Sequence, residues 1–213
     1  MSLQAVFAEI HPDWYHQASA DGREAVPFDE ALLRQARDSA LGRRMLARWL
    51  LPGIGGELLA PRPDGATAAA VVRWPRARLA GLLRDLGALA FAPAIRAEVR
   101  REPVRQLRRA LGNGYLLALD KQIWDGKVAP SVAARLRAAL AGALPGDQDD
   151  SALHALLDHH GRGELLAWAA QTDPALAEWL RLQYPPETPA EAHLPQPQVR
   201  FLHDHHLARA RAG

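Results

Sequence analysis

Histidines and carboxylates are the side chains in this chain best suited to chemistry, and they concentrate in two places. One cluster is Asp158-His159-His160, with His154 upstream, and the other is His203-Asp204-His205-His206. A zinc or dinuclear centre needs ligands that converge on one point, through helical i, i+4 spacing or from several elements. Adjacent side chains on a helix diverge by about 100°. At most one of His159 and His160 therefore shares a face with His154. A metal-dependent hydrolase built on His154, Asp158 and one of these two histidines would require stoichiometric metal. The spacing favours a solvated helix end for the first cluster, where imidazoles also suit the helix dipole. It places the second cluster in a tail, where metal binding would be adventitious. No metal and no cofactor are expected.

Other chemistries meet similar objections. Gly53-Ile54-Gly55-Gly56 has no following Lys-Ser or Lys-Thr and no clear preceding strand, so it reads as a helix breaker rather than a phosphate loop. Ser19, Ser39, Ser131 and Ser151 lie outside any Gly-x-Ser-x-Gly context, which argues against a serine hydrolase. Asp13, Glu30 and Asp85 could pair with other carboxylates, but spacing does not join them. The chain is expected not to be an enzyme.

Arginine provides the strongest charge feature. Ten arginines face three acids between Arg73 and Arg109, a net of +7, whereas nine acids face two arginines between Pro145 and Glu191, a net of −7. The whole chain carries only +2. Such polarity steers a partner, or lets the two regions neutralise each other within one fold. Arg101, Arg105, Arg108 and Arg109 fall near one helical face. With Arg96 and Arg100 they form the candidate protein-interaction residues. Phosphates, acidic lipid or an acidic protein could use such a face. The alternative reading is a nucleic-acid-binding or regulatory helical protein, although no helix-turn-helix spacing, zinc finger or aromatic-basic interleaving accompanies the arginines.

These side chains must be positioned by helices. The chain is rich in Ala, Leu and Arg, poor in β-branched residues and only 6% aromatic, the composition of an all-α fold. Cysteine is absent, which excludes disulfides and thiolate zinc sites and fits a reducing compartment. The N-terminal stretch has no export signal and no run is apolar enough to span a membrane, so the cytoplasm is expected.

Periodicity predicts a short helix over 3–10, ended by His11-Pro12, with Trp14 and Tyr15 docking this arm onto the body. Residues 21–27 read as a loop. A helix over 28–51 follows, with Leu32, Leu33, Ala36, Ala40, Met45, Leu46 and Trp49 at helical spacing until Pro52-Gly53. Residues 53–64 form a connector, and 66–74 fits either a strand or a helix. A helix over 76–90 buries Leu79, Leu82, Leu83, Leu86 and Leu89. Pro93 starts the next, which runs to 111 with Ile95, Val99, Val104, Leu107 and Leu111 inward and Pro103 splitting or kinking it. After Gly112-Asn113-Gly114, helices are predicted over 115–124 and 130–144, and Pro145-Gly146-Asp147 opens a loop. Three short helices are predicted over 151–160, 164–170 and 174–184, separated by Gly161-Arg162-Gly163 and by Thr172-Asp173-Pro174. Residues 185–198 are Pro-rich and read as extended and flexible, and 199–212 as a terminal helix. The organisation expected is one compact multi-helix domain over 1–184, two-lobed with a junction near 53–65, followed by a Pro/His-rich tail over 185–213.

The layout of the whole chain resembles the YscK/SctK proteins of bacterial type III secretion systems. The resemblance rests on the N-terminal stretch Phe7-Ala8-Glu9-Ile10-His11-Pro12-Asp13-Trp14-Tyr15 and the break at Leu50-Leu51-Pro52. It continues through the Leu- and Arg-rich middle from Leu79 to Ala90, Ile95-Arg96, and Leu107-Arg108-Arg109-Ala110-Leu111-Gly112. It implies a non-enzymatic adaptor of the sorting platform at the cytoplasmic face of the inner membrane. Such an adaptor would link the cytoplasmic domain of the inner-membrane ring protein to the pod protein at the injectisome base. It would have no catalytic residues, no cofactor and no nucleic-acid partner, and would not insert into the membrane.

Overall fold

A computed structural model describes residues 10–17, 29–50, 76–144 and 150–212. All regular structure among them is helical, in line with the all-α expectation. The helices are α1 (Asp13–Gln17), α2 (Glu30–Asp38), α3 (Ala40–Leu50), α4 (Arg76–Ala90), α5 (Ala92–Ala97), α6 (Arg101–Leu111), α7 (Asn113–Leu119), α8 (Pro130–Ala143), α9 (Ser151–Thr172), α10 (Pro174–Leu182) and α11 (Gln196–Ala212). The helix expected over 3–10, the loop at 21–27, the connector at 53–64, the proposed junction near 53–65 and the ambiguous run 66–74 lie outside the described residues. The chain divides into two compact units, Met1–Trp74 with Ala169–Thr188 and Pro75–Trp168 with Pro189–Gly213.

In the first unit, the aromatic pair after His11-Pro12 docks as its composition suggests. Trp14 Nε1 donates to the carbonyls of Tyr184 and Arg181 at 2.8 and 3.0 Å, and the His11 amide donates to Leu182 O at 2.7 Å. Arg37 reaches the carbonyl of Ile10 at 2.8 Å, beside Tyr15, whose phenol burial pushes up to about 12. The single helix expected over 28–51 is instead two, because Ser39 adopts an extended conformation and its hydroxyl accepts from the Gly42 amide. This break changes the phase of the apolar face. Leu33 and Leu46 are buried, whereas Leu32 and Met45 are exposed.

The second unit is built on α4, whose Leu79, Leu82, Leu83, Leu86 and Leu89 are buried as their spacing predicts. Pro93 lies in the first turn of α5. Residues 98–100 leave the helix, so α6 begins at Arg101 and accommodates Pro103 in its own first turn, where the missing amide costs no intrahelical bond. Val99, expected inward, is thereby 87% exposed. Gly112 supplies the positive φ of 51° that turns α6 into α7.

The largest departure is at Gly161-Arg162-Gly163, which does not end a helix. One helix, α9, runs unbroken for 22 residues. Its glycines serve close packing within the second unit. A Cβ on Gly161 would collide with the carbonyl of Leu83 and come within 2.9 Å of the Gly87 amide, and one on Gly163 would collide with the backbone of Ala190. Gly87 presses in the same way on Leu157. Helices α4 and α9 thus touch backbone to backbone.

Close packing at Gly163 brings the Pro-rich segment onto α9. Residues 185–195 are without helix or strand, as Pro185, Pro186, Pro189 and Pro195 dictate, but the segment is hydrogen-bonded down and α11 begins already at Gln196. Glu164, 2% exposed, accepts from the amides of His193 and Leu194 at 2.9 and 3.0 Å. Desolvation of this carboxyl raises its pKa, against the pull of the amides and of His193, whose Nδ1 lies 3.2 Å away. His193 Nε2 meets Ala90 O at 3.0 Å. Val199 and Leu202 of α11 then complete the core.

Candidate protein-interaction surface

Helix α6 is strongly amphipathic. It buries Leu107 and Leu111 and turns Arg101, Arg105, Arg108 and Arg109 outward over little more than two turns. Arg100, immediately before the helix, is exposed beside them. Five of the six candidate arginines therefore share one exposed region, while the sixth does different work. Arg96 sends Nε to Ala118 O at 2.8 Å and Nη2 to Trp124 O at 2.8 Å and Asp120 O at 3.2 Å. It ties the end of α7 and the following turn to α5, and burial lowers its pKa despite Asp125 and Asp120 nearby.

The five exposed guanidinium groups differ in how they are held. Arg100 pairs with Glu98 at 2.7 Å, and hydrogen bonds from its side chain and amide hold that carboxyl down at about 2. Arg105 meets Glu102 at 3.3 Å, one turn back. Arg109 contacts Asp150 at 2.9 Å, and Gln106 reaches the same carboxylate at 3.3 Å. Arg108 lies over the Tyr115 ring, 5.5 Å from its centroid. Arg101 has no partner among the described residues. Of these pairs only Arg105 with Glu102 is exposed on both sides and contributes little to stability, whereas the Glu98 and Asp150 side chains are 12% and 19% exposed. The guanidinium ends themselves remain open to a carboxylate of another molecule. The supports from Asp150 and Tyr115 were not legible in sequence. Asp150 is 41 residues from Arg109 and begins a different helix, with no local pattern linking them.

The histidines are distributed rather than gathered. His154 Nε2 lies 3.1 Å from Ala110 O, and Asp158 is taken by Arg84 through two hydrogen bonds of 2.7 and 3.1 Å. His160 packs edge-on against Phe91 with centroids 4.8 Å apart. Burial, aided by His159, His193 and Arg135, lowers its pKa to about 4, so the ring is neutral in ordinary buffers. It lies within the helix rather than at its end. His203 pairs with Asp204 at 3.0 Å and packs on Trp168, while His206 meets Asp85 at 2.8 Å. Among the described residues no three His, Asp or Glu side chains converge as a metal site. Among them, too, no helix is long and apolar enough to cross a membrane.

No match is found among family models, curated proteins or solved structures. The functional reading therefore rests on the chain's own residues. The exposed arginine face of α6 is the feature with the clearest capacity to bind.

Proposed function

We propose that the chain is a non-enzymatic adaptor of a bacterial type III secretion system, joining the cytoplasmic domain of the inner-membrane ring protein to the sorting-platform pod protein. It would act at the cytoplasmic face of the inner membrane. The observation that carries the binding role is the face formed by Arg100, Arg101, Arg105, Arg108 and Arg109, all exposed within little more than two helical turns. Such a face recognises a carboxylate-bearing protein surface, with Arg preferred for its forked donors. The assignment to secretion is supported by the resemblance in sequence layout. An adaptor also needs two distinct surfaces, a use for the opposite charges of the middle and later parts of the sequence.

The test has two arms. Deleting the gene should abolish secretion, and the tagged protein should co-purify with the ring and pod proteins; normal secretion in the deletion strain would sink the assignment. The variant with Arg101→Glu, Arg105→Glu and Arg108→Glu should lose one partner while keeping its helical circular dichroism. Undiminished capture of both partners would remove the arginine face from the reading.

A further inference from the structure

The second unit holds a cleft of about 280 Å³ lined by Asp85, Asn113, Leu117, Ile123, Phe201 and Arg209, among others. One wall is the N-terminal part of α7 and the turn after it, and the other is a stripe of α11. Phe201, His205 and Arg209 recur at i, i+4 and i+8 on that helix, so they stand in one row. All three are exposed, Phe201 by 51%. The Phe201 and His205 rings are stacked, with centroids 6.5 Å apart and planes inclined by 21°. A half-exposed aromatic side chain on the wall of a concavity, beside Leu117 and Ile123, is the kind of apolar lining that binding sites use.

The charge around the cleft identifies the occupant. The carboxylate of Asp85 is engaged by His206 at 2.8 Å. Arg209 has no partner among the described residues, and His205 lies one turn before it. The row therefore runs from an apolar end at Phe201 to a cationic end at Arg209. Eight residues of helix span about 12 Å. An apolar side chain and a carboxylate about two turns apart on a facing helix have the matching separation.

We infer that this cleft receives an amphipathic helix of a partner protein, its apolar side chains seated between Phe201, Leu117 and Ile123 and its carboxylate directed at Arg209. This gives the adaptor a second docking surface of defined chemistry, distinct in its residues from the arginine face of α6. The inference rests on the adaptor reading for its biological setting, but not for its test.

The probe is a short stapled helical peptide carrying a leucine pair one turn apart and a glutamate pair about two turns further on, titrated against the full chain by fluorescence anisotropy. Saturable binding is expected. It should weaken about tenfold or more with Arg209→Glu, as for a charge reversal at a close pair, and also with Phe201→Ala. A peptide with lysines in place of the glutamates should recover binding to the Arg209→Glu protein. The Arg101→Glu, Arg105→Glu, Arg108→Glu variant should bind the original peptide normally. Absence of binding, equal binding by all variants, or a charge swap that fails to restore it would overturn the inference. Peptide capture dependent on Arg209 alongside normal secretion in the deletion strain would overturn the secretion assignment and leave the cleft standing.

Discussion

Placing alanine at two glycines of the same helix should have opposite effects on stability. Gly81 and Gly87 both lie within α4. A Cβ at Gly81 meets nothing nearer than His206 Cε1 at 3.9 Å, an ordinary contact. Gly81→Ala should therefore express only helix propensity, a gain of up to about 1 kcal/mol. At Gly87 the same atom would overlap the Leu157 carbonyl, with the carbonyl carbon 2.6 Å away. Ordinary contact begins near 3.4 Å, so clearing the carbonyl carbon alone needs a backbone shift of about 0.8 Å, and the carbonyl oxygen lies nearer still. Neither partner is a flexible side-chain end, and a gap of 0.5–1 Å forfeits roughly a quarter to a half of the dispersion energy across an interface. Overpacking of this kind costs about 3 kcal/mol at the upper end of its usual range. With about 1 kcal/mol returned as propensity, Gly87→Ala should destabilise by about 2 kcal/mol. Urea unfolding followed by circular dichroism and by tryptophan fluorescence measures both variants, the two probes reporting whether the units unfold together. If Gly87→Ala were as stable as the parent, or more so, the backbone contact between α4 and α9 would be refuted.

Other perturbations separate structural from surface roles. Glu164→Ala leaves the buried amide of Leu194 and the part-buried amide of His193 without acceptors; a loss of about 3 kcal/mol and faster hydrogen exchange at Leu194 are expected, and unchanged exchange would contradict the tether. Because His160 is held neutral with its pKa near 4 against 6.5 when unfolded, the unfolded chain binds the extra proton between those values. Its contribution to stability is therefore lost as pH falls from 6.5 towards 4. His160→Leu should narrow the difference between urea midpoints at pH 7 and pH 5; an equal difference would dismiss this histidine as a source of acid sensitivity. Arg96→Ala removes a guanidinium shared by three carbonyls and should cost about 2 kcal/mol, whereas Arg101→Ala should leave stability nearly unchanged. Equal effects of the two would erase the distinction between them. Titration with duplex DNA at low salt should give no saturable shift, and a steeply salt-dependent one would revive the nucleic-acid reading.

Much of the helical order follows directly from local pattern. Leucines at 79, 82, 83, 86 and 89 define one face whatever they pack against, and Asp173 before Pro174 starts α10 by capping the Leu176 amide. The outward row on α6 is equally local, since amphipathic spacing alone separates Arg101, Arg105 and Arg108 from Leu107 and Leu111. What neighbours these rows could not be read this way. Gly161 and Gly163 look like breakers in sequence because glycine disfavours isolated helix, and only the backbones of Leu83 and Ala190 reveal that their missing side chains make room. Arg96 matches its neighbours in type and spacing, yet carbonyls 22 to 28 residues away remove it from the binding face. The pairing of Glu164 with the Pro-rich segment, and of Phe201 with Leu117 across the cleft, depends on which helices meet. Periodicity fixes the direction of a side chain relative to its own helix axis, but long-range packing decides what stands opposite.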